Sequence, residues 1–330
     1  MTRSSFVAFG VVGGLFVLGA CQVTAGTSGV KTGSPPPAPP SPPSTAPTAA
    51  PVSPPPAATA AAGPSRPVRL PSGRAIGHNQ VGCSEDAKLS YVVAADNSLY
   101  SFDPRNLKFQ KRGTLNCTAV AKPFAMSIDR KGTAWISYSN GALFTANTAD
   151  AKCTATNYKP RPDFPAFALA WVSSRKDARE ETLYMSPFFK GVSGSLWKVD
   201  AKLEATKIGS FTDGLQGKVP DLTGDGEGRL YAFFPEPPAR IAEIDPASAK
   251  TESAKQDPLD EVKIGNGAWA ITLWGGDQWL FTADKGNKPS RLIRIRKSGD
   301  NSSTEVMGDV GGFTVVGAGA STCAPLAPPQ

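Results

Sequence analysis

Histidine occurs once in this 330-residue chain, at His78, and no two of its five cysteines have a CxxC spacing. That combination removes the usual ligand sets of a structural zinc site. It also leaves any Ser-His-Asp arrangement dependent on His78 alone, and no nucleophile motif accompanies it. Acidic residues are absent from residues 1–77, whose only charges are Arg3, Lys31, Arg66, Arg69 and Arg74. The formal net charge of +7 therefore belongs mostly to that segment, because the rest carries 30 of the 35 basic residues against all 28 acidic ones. No basic run with interleaved aromatics is present, which argues against a nucleic-acid partner. Long apolar runs are scarce too. The one run of note, Phe6 to Leu18, is shorter than the about 20 residues a membrane-spanning helix needs. Beyond Ile76 there is no 3.6-residue apolar period, so amphipathic helices are not expected.

What is present begins with Arg3 and the apolar run, the n-region and h-region of an export signal. The run ends on Leu18-Gly19-Ala20-Cys21, which resembles the bacterial lipobox. The resemblance implies cleavage after Ala20 and a diacylglycerol in thioether linkage to Cys21. Two or more acyl chains give stable membrane attachment where one gives marginal binding. Gln22, rather than Asp, follows the cysteine, which by the bacterial sorting rule implies the outer membrane or cell surface. Residues 21–77 are rich in Pro, Ala, Ser, Thr and Gly, and 15 of the chain's 31 prolines fall between Pro35 and Pro71. Such a composition cannot bury enough apolar surface to offset its ordering entropy, so a disordered, extended tether is expected. PxxP-like spacings such as Pro36 to Pro39 read as spacer. At about 3.1 Å per residue the tether would reach on the order of 100–150 Å.

From residue 78 to 325 the pattern is all-β: short runs of Val, Ile, Tyr, Phe, Trp and Thr punctuated by Gly, Asp, Asn and Pro. They recur as units. Residues 89–116 pair strands across Asn97-Ser98, and 124–147 repeat the scheme with Asn140-Gly141, a strong hairpin signal. Three further units follow at 167–200, 220–245 and 267–296. The third strands end at Asp103, Asn147, Asp200, Asp245 and Lys297, so the spacings are 44, 53, 45 and 52 residues. Periods near 40–50 residues with about four strands each mark the blades of a β-propeller. Five blades are expected, with six as the alternative count. The first unit lacks an inner strand before Leu89, and "FTVVGAGAS" (313–321) lacks partners after it. Pairing of the two would close the ring, leaving 326–330 as a short tail.

Besides Cys21 the chain carries Cys83, Cys117, Cys153 and Cys323. An even number in an exported domain suggests disulfides, with three connectivities open. Cys83 precedes the first strand of unit one and Cys323 follows the proposed closing strand, so ring closure would bring them together. Cys117 and Cys153 flank outer strands of adjacent blades. The pairs 83–323 and 117–153 are therefore expected.

The repeat pattern resembles quinoprotein-like and NHL-like propellers. Through "LTGDGEGRLYAFF", "AWAITLWGGDQWLFT" and "VVGAGASTCAP" the chain also resembles bacterial surface lipoproteins of unknown function. These resemblances imply fold and location and transfer no catalytic residue.

The best candidate for chemistry is "DLTGDGEG", in which Asp221, Thr223 and Asp225 alternate as in the start of a calcium loop. Thr223 stands where an acid is expected, and Ala232 where the distal Glu would be. The corresponding "IDRKGTAW" of another blade has an Asp-Gly turn that merely joins strands. Asp129 and Asp221 are the plausible acid pair for a glycosidase, and both occupy turn positions. Ser321-Thr322-Cys323 reads as ring closure. Trp135, Trp171, Trp197, Trp269, Trp274 and Trp279 recur at blade positions and are expected between blades. Trp274, beside Gly275-Gly276, is the one that could face the channel mouth. The expected function is a monomeric binding scaffold recognising a protein or glycan with its rim loops. The alternative is a surface or periplasmic hydrolase or lactonase with calcium in the channel. Fold alone does not establish activity.

Overall fold

The computed structural model describes residues 83–327 except 119, 176–178, 190, 253–256, 260–261 and 298–301. The expected signal (1–20), the lipidation site Cys21, the tether and His78 lie outside the described residues. Among the described residues twenty strands form five antiparallel sheets of four. One 3₁₀ turn, Asp86–Lys88, is the only helical element among the described residues.

Blade I runs outward as β20 (Val315–Ala320), β1 (Ser90–Ala94), β2 (Ser98–Asp103) and β3 (Lys108–Thr114). Its inner strand thus comes from the far end of the chain, with Val92 paired to Ala318. Blade II is β4 (Pro123–Ile128), β5 (Thr133–Tyr138), β6 (Leu143–Asn147) and β7 (Cys153–Ala155). Blade III is β8 (Phe167–Ser173), β9 (Glu181–Pro187), β10 (Ser195–Val199) and β11 (Ala205–Ser210). Blade IV is β12 (Asp221–Gly224), β13 (Leu230–Phe234), β14 (Arg240–Ile244) and β15 (Asp257–Pro258). Blade V is β16 (Ala268–Trp274), β17 (Asp277–Ala283), β18 (Arg291–Ile295) and β19 (Ser303–Met307).

The five inner strands neighbour one another in the cycle β20, β4, β8, β12, β16 and back to β20. The ring is closed. Five strands meeting around one axis leave little room for large side chains. Buried Ala125, Ala168, Ala170, Ala270, Ala318 and Ala320 line these positions. The second strands are buried on both faces because each blade is covered by a neighbour on each side. Every residue of β17 is buried, whereas β3, β11 and β19 alternate between exposed and partly buried.

The hydrophobic core is correspondingly divided into five seams, one per blade junction. Tyr91, Leu99, Met126 and Ile136 join blades I and II. Phe102, Phe281, Leu292 and Val315 join blades V and I. A fifth seam at the junction of first and last blades is what a closed ring requires, and it carries a T-shaped Phe102–Phe281 contact with centroids 5.6 Å apart.

The recurring Asp or Asn after the third strand has a common job. Asp103, Asn147, Asp200 and Asp245 accept the backbone N–H two residues on at 3.0, 2.8, 2.9 and 3.1 Å. Each turn then places a non-glycine residue at positive φ: Leu107 (56°), Ala151 (61°), Leu203 (65°) and Ala249 (62°). Two of these turns dock on the preceding blade. A Cβ at Gly113 would lie 2.7 Å from the Asp150 carbonyl oxygen, and one at Gly209 would lie 2.8 Å from that of Ser248. Glycine at both positions lets one blade's outer turn touch its neighbour's outer strand.

The disulfides join Cys83 to Cys323 and Cys117 to Cys153, with Cα atoms 5.9 and 5.0 Å apart. Both separations suit a disulfide. The first ties the segment before β1 to the segment after β20. The second ties blade I to the outer strand of blade II.

Candidate functional site

All five inner strands begin at the same end of the ring and contribute to the wall of a cavity of about 350 Å³. Pro123 opens β4, where a missing N–H does least harm to a sheet, and Pro220 leads into β12. Phe124, Ala125, Ala168, Trp269 and Val316 make much of the wall apolar, and Asp221 and Asn266 supply its side-chain polarity.

Asp221 is buried at the first position of β12. Its Oδ2 accepts the Ile271 N–H at 2.9 Å, satisfying an amide on the inner strand of blade V. Its Oδ1 has no hydrogen-bond partner among the described residues. Burial pushes this carboxyl up to about 8, against the opposing pull of the Ile271 and Leu222 amides. At neutral pH it is therefore mostly an uncharged acid.

The rim of this mouth is apolar on the side of blades II and III. Phe188 and Phe189, on the loop after β9, are 40% and 46% exposed. Phe188 packs on Phe124 with ring centroids 5.5 Å apart. Val120, on the loop leading into β4, is the other large apolar side chain left exposed among the described residues. An exposed aromatic pair beside a cavity is a common mark of a binding surface.

The opposite end of the ring is polar. Glu181 opens β9 there, its Oε1 accepting the Arg130 N–H and its Oε2 the Thr322 hydroxyl, both at 2.9 Å. The Arg130 guanidinium reaches Thr322 Oγ1 at 3.4 Å and Cys83 Sγ at 3.5 Å. Burial is the main cause that pushes Glu181 up to about 7. This knot joins blades I, II and III beside the Cys83–Cys323 bridge.

The calcium-like residues do not converge. Asp221 and Asp225 sit at opposite ends of β12. Asp225 Oδ1 accepts the N–H of Glu227 (2.9 Å) and Arg229 (3.0 Å), and its Oδ2 pairs with Arg229 Nε at 2.6 Å. Thr223 is buried between them. Asp129 repeats this turn in blade II, accepting the Lys131 and Thr133 amides at 2.9 Å and Trp135 Nε1 at 3.0 Å. Asp129 follows β4 while Asp221 begins β12, so the two carboxyls lie at opposite ends of the ring. Among the described residues no three His, Cys, Asp or Glu side chains come together as metal ligands would.

Ser321 donates to the Ala87 carbonyl at 2.6 Å, consistent with a closure role. All six tryptophans pack in the seams between blades. Trp274 does not face the mouth: it is buried between blades V and I, and its Nε1 donates to the Lys88 carbonyl at 3.0 Å. Phe188, Phe189, Arg130 and Glu181 were not singled out from the sequence. They lie on loops and strand ends, and no local pattern distinguishes them from ordinary turn residues.

By fold the chain is a five-bladed β-propeller. No family model matches the sequence, and no curated protein matches it either. Several solved structures are distantly similar. A protein of unknown function from Bacteroides caccae is 9% identical over 70% of this chain and 97% of its own, with a TM-score of 0.38. Another, from Bacteroides thetaiotaomicron, is 17% identical over 61% of this chain and 55% of its own, at 0.42. Kuenenia stuttgartiensis hydrazine synthase is 11% identical over 73% and 72%, at 0.37. Scores this low carry no argument about function.

Proposed function

We propose that this protein is a lipid-anchored binding propeller of the bacterial outer membrane or cell surface. Cys21 carries the anchor, residues 21–77 are the tether, and the propeller is a monomeric scaffold that takes its ligand at the apolar mouth. The observation behind the binding face is the adjacency of exposed Phe188 and Phe189 to the cavity formed by all five inner strands. An apolar wall with few polar groups favours a protein ligand that inserts an apolar side chain over a glycan, which would need convergent hydrogen-bonding groups. The hydrolase reading has less support, since its candidate carboxylates are spread over both ends of the ring.

The test is site-specific photocrosslinking in intact bacterial cells. A benzophenone side chain at position 188 should yield a discrete adduct that one at Lys111, on an outer strand, does not. No adduct at 188, or the same adducts at both, would overturn the binding face. The anchor is tested separately: Cys21→Ser should abolish incorporation of a clickable fatty acid and release the protein from membranes. Unlabelled wild-type protein would overturn the lipoprotein reading.

A further inference from the structure

A second cavity, of about 210 Å³, lies at the opposite end of the ring from the apolar mouth, between blades IV and V and the segment after β20. Its wall includes Gln278, Arg229, Tyr231, Lys297 and the Ser321 and Pro325 region. Most polar groups here have partners within the protein. Asp225 is saturated by the turn and by Arg229, and Ser321 Oγ donates to Ala87 and accepts the Cys323 N–H at 2.9 Å.

Gln278 is the exception. It is 1% exposed, and neither its Oε1 nor its Nε2 has a hydrogen-bond partner among the described residues. Its strand neighbours opposite are Leu273 and Ile295, whose side chains offer nothing polar. A buried amide with both its donor and its acceptor idle is unfavourable unless a bound group supplies both complements. A carboxylate accepts only and would leave Oε1 unanswered. A primary carboxamide, whose N–H and C=O lie on the same edge, answers both in two parallel N–H···O bonds.

We infer that this cavity is a binding site for a small polar molecule bearing a primary carboxamide, held by the side chain of Gln278. The site is separate from the apolar mouth and does not depend on what binds there.

The probe is N-acetylglycinamide, titrated into the full-length protein labelled with ¹⁵N at glutamine side chains, with acetate as the control. The Gln278 NH₂ signals should shift saturably with the amide and not with acetate. Gln278→Met should abolish saturation, and Gln278→Glu, which loses the donor once its carboxyl is ionised, should weaken binding at least tenfold at a pH high enough to ionise it. A wild-type signal that does not saturate, or that moves equally with acetate, would overturn the site. So would a crystal grown with the probe that shows only water on Gln278. If Gln278→Met fails to fold, the wild-type titration and the Glu variant still decide the matter.

Discussion

Thr322 donates its hydroxyl to the Glu181 carboxylate at 2.9 Å across 141 residues of sequence, joining the end of the ring-closing strand to blade III. Burial raises this carboxyl from its ordinary value near 4.5 to about 7. The folded state therefore binds a proton that the unfolded chain has already released in that interval. Stability from this group is full below about 4.5 and falls as pH rises toward 7. Glu181→Gln should remove the fall. In thermal melts from pH 4 to 8 the variant should gain on the wild type by about 1–3 kcal/mol by pH 7.5. A parallel pair of curves would contradict the assignment.

Asp221 has the same sign over a wider window. Its carboxyl moves from near 3.8 to about 8, so its contribution declines from mildly acidic pH through pH 8. Asp221→Asn keeps an oxygen for the Ile271 N–H and should be more stable than the wild type above pH 8, with little difference at pH 4. Chemical denaturation at the two pH values would measure it.

The two disulfides should differ in worth. They span 240 and 36 residues of sequence. On loop entropy alone the longer bridge should stabilise by about 1.5–2 kcal/mol more than the shorter. The Cys83→Ser/Cys323→Ser pair should therefore lower the melting temperature more than Cys117→Ser/Cys153→Ser. Equal losses would mean that the reduced ring stays closed by packing alone.

Gly113→Val and Gly209→Val should each destabilise by about 1–3 kcal/mol, because the new side chain meets a backbone carbonyl of the next blade that cannot easily move. Gly308→Ala is the control, since its added Cβ would meet only the Glu305 carboxylate at 3.6 Å. It should be near neutral in the same denaturation assay.

The blade pattern was legible because four of the five third strands lead into an Asp or Asn that caps its own turn, and that need repeats with the blade. Closure was legible because an unpartnered strand at each end of the domain can be satisfied only by the other. The disulfide pairs followed from closure. The apolar mouth was not legible. Phe188 and Phe189 look in sequence like any other strand-end aromatics, and their exposure depends on how neighbouring loops pack. Glu181 and Gln278 draw their interest from burial among residues far away in the chain, which no local spacing encodes. The Asp221–Asp225 motif was visible but split, since β12 carries its two ends to opposite sides of the ring.

The borrowed inner strand of blade I also sets an order in time. Residues 90–114 leave the ribosome early, yet β1 lacks its inner neighbour until residues 315–320 have been made. Throughout that interval β1 presents an open hydrogen-bonding edge on a strand whose side chains are all destined for burial. The first blade begun is thus the last to be finished. The period of greatest exposure to misassembly falls just before Val315–Ala320 arrives, and the Cys83–Cys323 bond can form only once it has ended.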